Sequence, residues 1–161
     1  MLARISTNLA CTQDELWDQI RRPQSLQFVA SPLLKFNPVE PGALDGEWEV
    51  GRDYQLKLYL LGLIPLGRHT IRLTRVDTDH NTIASRESGL LARVWNHTIV
   101  FREITPGLVH YTDEIEIQAG WLTPVIWAFA HLFYRHRQRR WKLLLADDKA
   151  RVTREGTRDG R

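Results

Sequence analysis

A chain of 161 residues, 43% hydrophobic and 25% charged, has the make-up of one globular domain large enough to bury most of its apolar surface. Its single cysteine, Cys11, excludes an internal disulfide and a cysteine-rich metal site. The net charge of +3 is unevenly divided: residues 1–134 hold 12 basic and 15 acidic side chains, residues 135–161 hold 10 and 4. Basicity is therefore a C-terminal property. A solvated helix end with a basic tail accounts for it, since cations suit the end of a helix dipole; nucleic acid or anionic lipid are the alternatives. The N-terminal stretch Met1-Leu2-Ala3-Arg4-Ile5-Ser6-Thr7 lacks the apolar core of a signal peptide, so the expected location is cytoplasmic.

Ala3 to Leu9 alternates, with Ala3, Ile5, Thr7 and Leu9 on one face, and reads as a first strand. Thr12-Gln13-Asp14-Glu15 has capping-box spacing and predicts a short helix through Ile20 with Leu16, Trp17 and Ile20 as its apolar stripe. Pro23 ends that helix and starts a second one, Gln24 to Val29, which stops before Pro32. Six strands follow. Leu33 to Glu40 ends at Pro41-Gly42, and Glu47 to Leu61 turns Tyr54, Leu56, Leu58 and Leu60 one way. Arg68 to Val76 puts Ile71 and Leu73 inward before the turn Asp77-Thr78-Asp79-His80-Asn81. Thr82 to Ser88 is short. Arg93 to Ile104 carries Trp95, His97, Ile99 and Phe101 on one face, and Thr105-Pro106-Gly107 turns the chain. Leu108 to Gln118 carries Val109, Tyr111, Asp113, Ile115 and Ile117 on one face.

The last element is a long helix from Gly120 to about Asp148, opening with Gly120-Trp121-Leu122-Thr123-Pro124, where Thr can cap and Pro fits a first turn. From Trp121 to Tyr134 only Thr123 and His131 are polar, so more than one side needs cover. That run is shorter than the roughly 20 residues that cross a bilayer. The basic band Arg135-His136-Arg137-Gln138-Arg139-Arg140 follows, then Trp141, Leu144 and Leu145 resume the apolar pattern. Residues 1–148 are expected to form the domain and 149–161 a basic, disordered tail.

A curved antiparallel sheet gripping the long helix satisfies its apolar surface, with the short helices closing one end. This order of elements, with the Ile64-Pro65-Leu66-Gly67 connection and the Trp121-to-Trp141 helix, resembles the START/Bet v 1-like superfamily (SRPBCC, or polyketide cyclase/dehydrase-like) across residues 1 to about 148. The fold expected is therefore α+β: a helix-grip domain with a seven-stranded curved antiparallel sheet around the C-terminal helix and two short helices after the first strand. The resemblance implies an internal cavity between sheet and helix that binds a hydrophobic small molecule or lipid. It carries over no catalytic residues.

Strand parity supplies the candidates, because alternate side chains share a face. The expected cavity-facing set is Tyr54, Leu56, Leu58, Ile71, Leu73, Ser85, Trp95, Ile99, Phe101, Tyr111 and Ile115 from the sheet, with Ile126, Phe129 and Phe133 from the helix. His69, Glu87, His97 and Asp113 share that sheet face. Turn arithmetic sets Glu87 opposite Ile71 and diagonal to His69, and Asp113 opposite Ile99 and diagonal to His97. A carboxylate beside a histidine fixes its tautomer and raises its basicity, as proton transfer requires. The pairs thus serve three readings: satisfied structural pairs, ligand anchors, or the acid–base groups of a cyclase or dehydratase acting on a polyketide-like or aromatic substrate. A further alternative is an accessory module touching a membrane or a protein through the apolar stretch Leu60 to Leu66 and the basic band Arg135 to Lys142; that band could equally meet an acidic group on a cavity ligand. No metal or other cofactor is expected: the six histidines are scattered, and His131 with His136 lacks the i, i+4 spacing of helical ligands. Nucleic acid is disfavoured, since no aromatic residues alternate with basic ones on an exposed sheet face.

Overall fold

The computed structural model describes the backbone of residues 1–156 and side chains through residue 150. Strand β1 (Leu2–Leu9) leads into α1 (Gln13–Ile20) and α2 (Pro23–Ala30). Strands β2 (Leu34–Pro38), β3 (Asp53–Leu60), β4 (Ile64–Asp77), β5 (Thr82–Gly89), β6 (Val94–Thr105) and β7 (Leu108–Gln118) follow, then a single 3-10 turn and the long helix α3 (Thr123–Gly156). All seven strands form one antiparallel sheet in the order β1-β7-β6-β5-β4-β3-β2. Consecutive hairpins account for every neighbour except β1 against β7, so α1 and α2 carry the chain from one sheet edge to the other. This is the helix-grip α+β fold expected from the sequence.

Local chemistry explains the boundaries. Thr12 caps α1 through both capping-box bonds: Glu15 N donates to Thr12 Oγ1 at 3.2 Å, and Thr12 N donates to Glu15 Oε2 at 2.8 Å. Pro23 occupies the first turn of α2. Thr123 is the first residue of α3 rather than its N-cap; its Oγ1 accepts from Ala119 N at 2.9 Å and donates to Gly120 O at 2.7 Å, closing the preceding turn.

Three boundaries differ from the sequence reading. Strand β3 begins only at Asp53, because the backbone around Gly51 (φ 86°) leaves the extended region. Strand β4 begins at Ile64, so Ile64 to Gly67 is strand rather than connection, and the hairpin loop is Leu61-Gly62-Leu63 with φ of 51° at Leu61 and 71° at Gly62. A bulge between Leu58 and Tyr59, opposite Pro65 and Gly67, absorbs a proline that cannot donate to the ladder. Helix α3 runs to Gly156, past the Asp148 boundary, so residues 149–156 of the expected tail are helical; residues 157–161 lie outside the described residues.

The inner face of α3 crosses the sheet. Ala130, Phe133 and Tyr134 pack over Ile5, Phe36, Tyr54, Leu56, Ile115 and Ile117 in one core cluster. Trp141 and Leu145 pack over Leu9, Leu16, Trp17, Phe101 and Tyr111 in a second, which α1 closes. The 3-10 turn and the first turn of α3 are less covered than an all-round apolar sequence suggests: Trp121 is 86% exposed and Val125 66%.

Candidate ligand cavity

Between the sheet and the N-terminal half of α3 lies a cavity of about 340 Å3, toward the lower end of the range for small-molecule sites. Strands β3 to β6 supply one wall through Leu58, Ile71, Leu73, Ile83, Ser85, Trp95 and Ile99, and α3 supplies the other through Ile126, Phe129, Phe133, Tyr134 and Arg137. Its mouth is formed by Leu66 near the β3–β4 hairpin, Leu90 and Leu91 between β5 and β6, and Val125 of α3. Leu90 is 80% exposed.

Of the expected cavity-facing residues, Leu58, Ile71, Leu73, Ser85, Trp95, Ile99, Ile126, Phe129 and Phe133 line this space. Tyr54, Leu56, Phe101, Tyr111 and Ile115 are buried but do not line it. They share the inner sheet face, yet other side chains stand over them. Trp48 packs edge-on against Tyr54 (ring centroids 4.7 Å) and takes its place in the wall, while Phe101 packs against Trp17 at 5.1 Å and Tyr111 against Trp141 at 6.4 Å. Trp48 comes from the irregular stretch ahead of β3, where strand parity has no say.

The polar candidates come together in two pairs, in the register that the turns imply. Ile71 sits opposite Glu87 and Ile99 opposite Asp113. His69 Nε2 lies 2.9 Å from Glu87 Oε2, and Ser85 Oγ donates to Glu87 Oε1 at 2.7 Å. Gly89 faces the His69 ring across the ladder; a Cβ there would come within 2.8 Å of Nδ1, so the ring sits where only glycine leaves room. His97 Nε2 lies 2.8 Å from Asp113 Oδ1, which also accepts from Tyr111 Oη at 2.9 Å, while Gln138 Nε2 donates to Asp113 Oδ2 at 3.0 Å. His69, Glu87 and His97 line the cavity, whereas Asp113 lies behind His97, fully buried.

Burial works to raise the Asp113 pKa, but the Arg137 charge, the His97 bond and Gln138 outweigh it and hold the carboxyl below the usual range. Glu87 is lowered in the same way, its burial outweighed first by the bond to His69 and then by the histidine charges and Ser85. Both carboxylates are thus acceptors only. His97 Nε2 then carries a proton toward Asp113, and in the neutral imidazole that leaves Nδ1, bonded to no described residue, as an acceptor. The arrangement can orient a polar group on a ligand or exchange a proton with it.

Four polar residues of the cavity wall, Ser25, Arg68, Tyr134 and Arg137, are not singled out by the sequence reading, which takes Arg137 only as part of the basic band. Tyr134 lines the cavity with its Oη 3.1 Å from the Trp95 Nε1 donor, and burial followed by the Glu87 charge raises its pKa above the ordinary tyrosine value. Arg137 lines it too and is only 6% exposed. The basic band is therefore not one surface: Arg137, Gln138 and Trp141 are buried, Arg135, Arg139 and Lys142 face out, and Arg140 lies over the Phe28 ring at 4.0 Å. Helical spacing held the signal, since Ala130, Phe133, Tyr134, Arg137 and Trp141 recur at three or four residues on one face. Cys11 is fully buried and its thiol is pushed up to about 11 by burial and then Glu15, which leaves it inert. Among the described residues no three His, Cys, Asp or Glu side chains are placed to hold a metal ion, and no helix is long and apolar enough to cross a membrane.

A family model described as a domain of unknown function, DUF8410, matches residues 7–144. The chain belongs to the DUF8410 family. No curated protein matches its sequence. Among solved structures, this DUF8410 domain is similar to a protein of Chromobacterium violaceum (TM-score 0.70, 13% identity, covering 89% of this chain and 96% of that one). It is also similar to a START superfamily protein of Mycobacterium smegmatis (0.67, 10%, 91% and 97%). A third is norcoclaurine synthase of Thalictrum flavum, in complex with dopamine and hydroxybenzaldehyde (0.64, 13%, 91% and 87%). At these identities the likeness is one of fold, and the fold is START/Bet v 1-like.

Proposed function

We propose that this DUF8410 protein binds a hydrophobic small molecule or lipid in the cavity between the sheet and α3. The observation that carries the reading is a void walled mostly by aliphatic and aromatic side chains, with Ser25, Ser85, His69, Glu87, His97, Tyr134, Arg137 and the exposed Arg68 as its polar groups. A ligand that buries on the order of 250 Å2 of apolar surface there gains roughly 6 kcal/mol. Association costs consume much of that, so polar anchors must set orientation and supply the remainder. The exposed side chains at the mouth, Leu90 and Val125 with Leu63 of the neighbouring hairpin, support passage of an apolar ligand on that side.

A second reading, acid–base chemistry on the bound molecule, is favoured by the His97–Asp113 pair at 2.8 Å. In it His97 Nδ1 accepts a proton from the ligand and Asp113 stabilises the resulting imidazolium. Norcoclaurine synthase, an enzyme on this fold, shows that the architecture accommodates catalysis in that protein.

The test is native mass spectrometry of protein purified from its own host, followed by extraction and identification of what travels with it. One apolar small molecule per chain is expected. A protein that carries nothing and also fails to take up an apolar dye such as Nile red contradicts the binding reading. Conversion of the extracted molecule by wild type but not by His97→Gln, with both binding it, would establish the enzyme.

A further inference from the structure

Arg137 is the buried charged group in this cavity that the fold itself does not explain. It sits on the inner face of α3, one turn beyond Tyr134, and is 6% exposed. Its Nε is fully buried with no hydrogen-bond partner, and no carboxylate pairs with the guanidinium among the described residues. Its guanidinium lies over the Tyr134 ring, 5.4 Å from Cζ to centroid.

A buried guanidinium has no inexpensive way out. It cannot shed its proton, and it carries five N–H donors in a rigid fork shaped for a carboxylate or phosphate. Leaving such a charge unpaired in a low-dielectric site is strongly unfavourable. The two nearby carboxylates do not relieve it directly, since each is engaged elsewhere: Asp113 by His97, Tyr111 and Gln138, and Glu87 by His69 and Ser85. Burial works against the Arg137 charge, but the fields of Tyr111, Asp113, Tyr134 and Glu87 together keep it firmly charged. Tyr134 adds a second unused donor. Its Oη accepts from Trp95 Nε1 at 3.1 Å and has no acceptor for its own proton among the described residues. Both side chains line the cavity, and from there outward the walls are apolar through Phe129, Ile126, Leu58 and Leu66.

We infer that the occupant is an amphipathic acid, a single-chain or ring carboxylate whose charged end seats against Arg137 and the Tyr134 hydroxyl while its apolar body extends toward the mouth. This rests on the cavity being a ligand site, as proposed above. Planar bidentate recognition suits a carboxylate on the Arg137 fork. The negative Glu87 on the opposite wall is bonded on both oxygens, and Arg68, which also lines the space, is exposed, which leaves Arg137 as the buried cation with free donors facing it. A cavity of about 340 Å3 holds one chain or a small ring system.

Intrinsic tryptophan fluorescence tests the inference with three probes of equal chain length: dodecanoate, dodecanol and dodecyl phosphate. Wild type is expected to bind dodecanoate at least roughly tenfold tighter than dodecanol, the size of a charge-assisted hydrogen-bond contribution. Arg137→Met is expected to lose that advantage while keeping its dodecanol affinity, and Tyr134→Phe to lose part of it. Equal affinity of wild type for dodecanoate and dodecanol overturns the inference and leaves the cavity reading standing. So does an Arg137→Met variant that loses both ligands alike, for then the arginine is structural. Tighter binding of dodecyl phosphate than of dodecanoate overturns the carboxylate assignment. Binding of none of the three overturns the cavity reading itself.

Discussion

The two core clusters along α3 are built from the same materials and end differently. Around Trp141, the side chains of Leu9, Leu16, Trp17, Phe101, Val109 and Tyr111 close against one another, and α1 seals that end. Around Phe133, the same helix face leaves a cavity of about 340 Å3 that reaches as far as Leu73, Ile83, Ile99 and Trp141 of the other cluster, and the rings of Phe129, Trp95 and Trp48 are only partly buried. Protein interiors are packed close to crystal density, so a void of that size is not a by-product of the fold. The polar groups follow the same division. Asp113, fully buried, takes three side-chain hydrogen bonds from His97, Tyr111 and Gln138, whereas Glu87 sits on the cavity wall with two, and Arg137 on the opposite wall has none. One end of the domain holds the fold together; the other is kept open and polar at a chosen place.

That comparison breaks most readily at the closed end. Phe101→Ala removes a ring that is 2% exposed and packed on Trp17, and is expected to cost about 3–5 kcal/mol. Phe129→Ala, at the half-buried cavity wall, is expected to cost less than about 1.5 kcal/mol while weakening ligand affinity. Chemical denaturation measures both, and equal costs would erase the distinction between the two ends. The next largest effect falls on Asp113. Asp113→Asn keeps the shape but loses the charge that His97, Tyr111 and Gln138 address, with an expected loss of about 1.5–3 kcal/mol.

The pH dependence follows from the same groups. Asp113 and Glu87 are both depressed in the folded state. Their contribution is therefore present above the unfolded carboxylate range of roughly 4 and is lost as pH falls through the lower folded values. Wild type should lose stability on acidification below about pH 4, and Asp113→Asn should lose it less steeply. A variant that follows the wild-type acid profile would remove Asp113 from that account. The smallest stability effect belongs to Leu66→Trp, which adds bulk to the half-buried lip of the cavity. Stability is expected to change by less than about 1 kcal/mol, because the added volume enters empty space rather than a filled core. Affinity for an apolar ligand is expected to fall at least tenfold; unchanged affinity would mean that the ligand sits elsewhere.

Much of this was legible in the sequence, for reasons that can be named. Alternation in β6 and β7 and the Thr105-Pro106-Gly107 turn fixed which residues share a face, and the register then placed His97 diagonal to Asp113 as arithmetic requires. Gly89, opposite His69, could not be read for its role, because that role is the space it leaves for a ring on the next strand. Parity says which face a side chain takes, but not what stands over it. Tyr54 and Tyr111 share the inner face with Ile71 and Ile99, yet Trp48 from an irregular segment and Trp141 from α3 cover them. Three register shifts, at Leu58/Tyr59, Leu73/Arg75 and Glu103/Thr105, left no mark in the alternation strong enough to locate them. Arg137 was hidden by its neighbours: among Arg135, Arg139 and Arg140 it reads as one more solvated charge, and only its spacing from Tyr134 and Trp141 betrays it.

The most direct test of the account is a crystal structure of the protein grown with dodecanoate. The account predicts density for one chain between the sheet and α3, its carboxylate within ion-pair distance of Arg137 and its tail running past Phe129 toward Leu66. An empty cavity at saturating ligand, or density only on the outer surface, would contradict it.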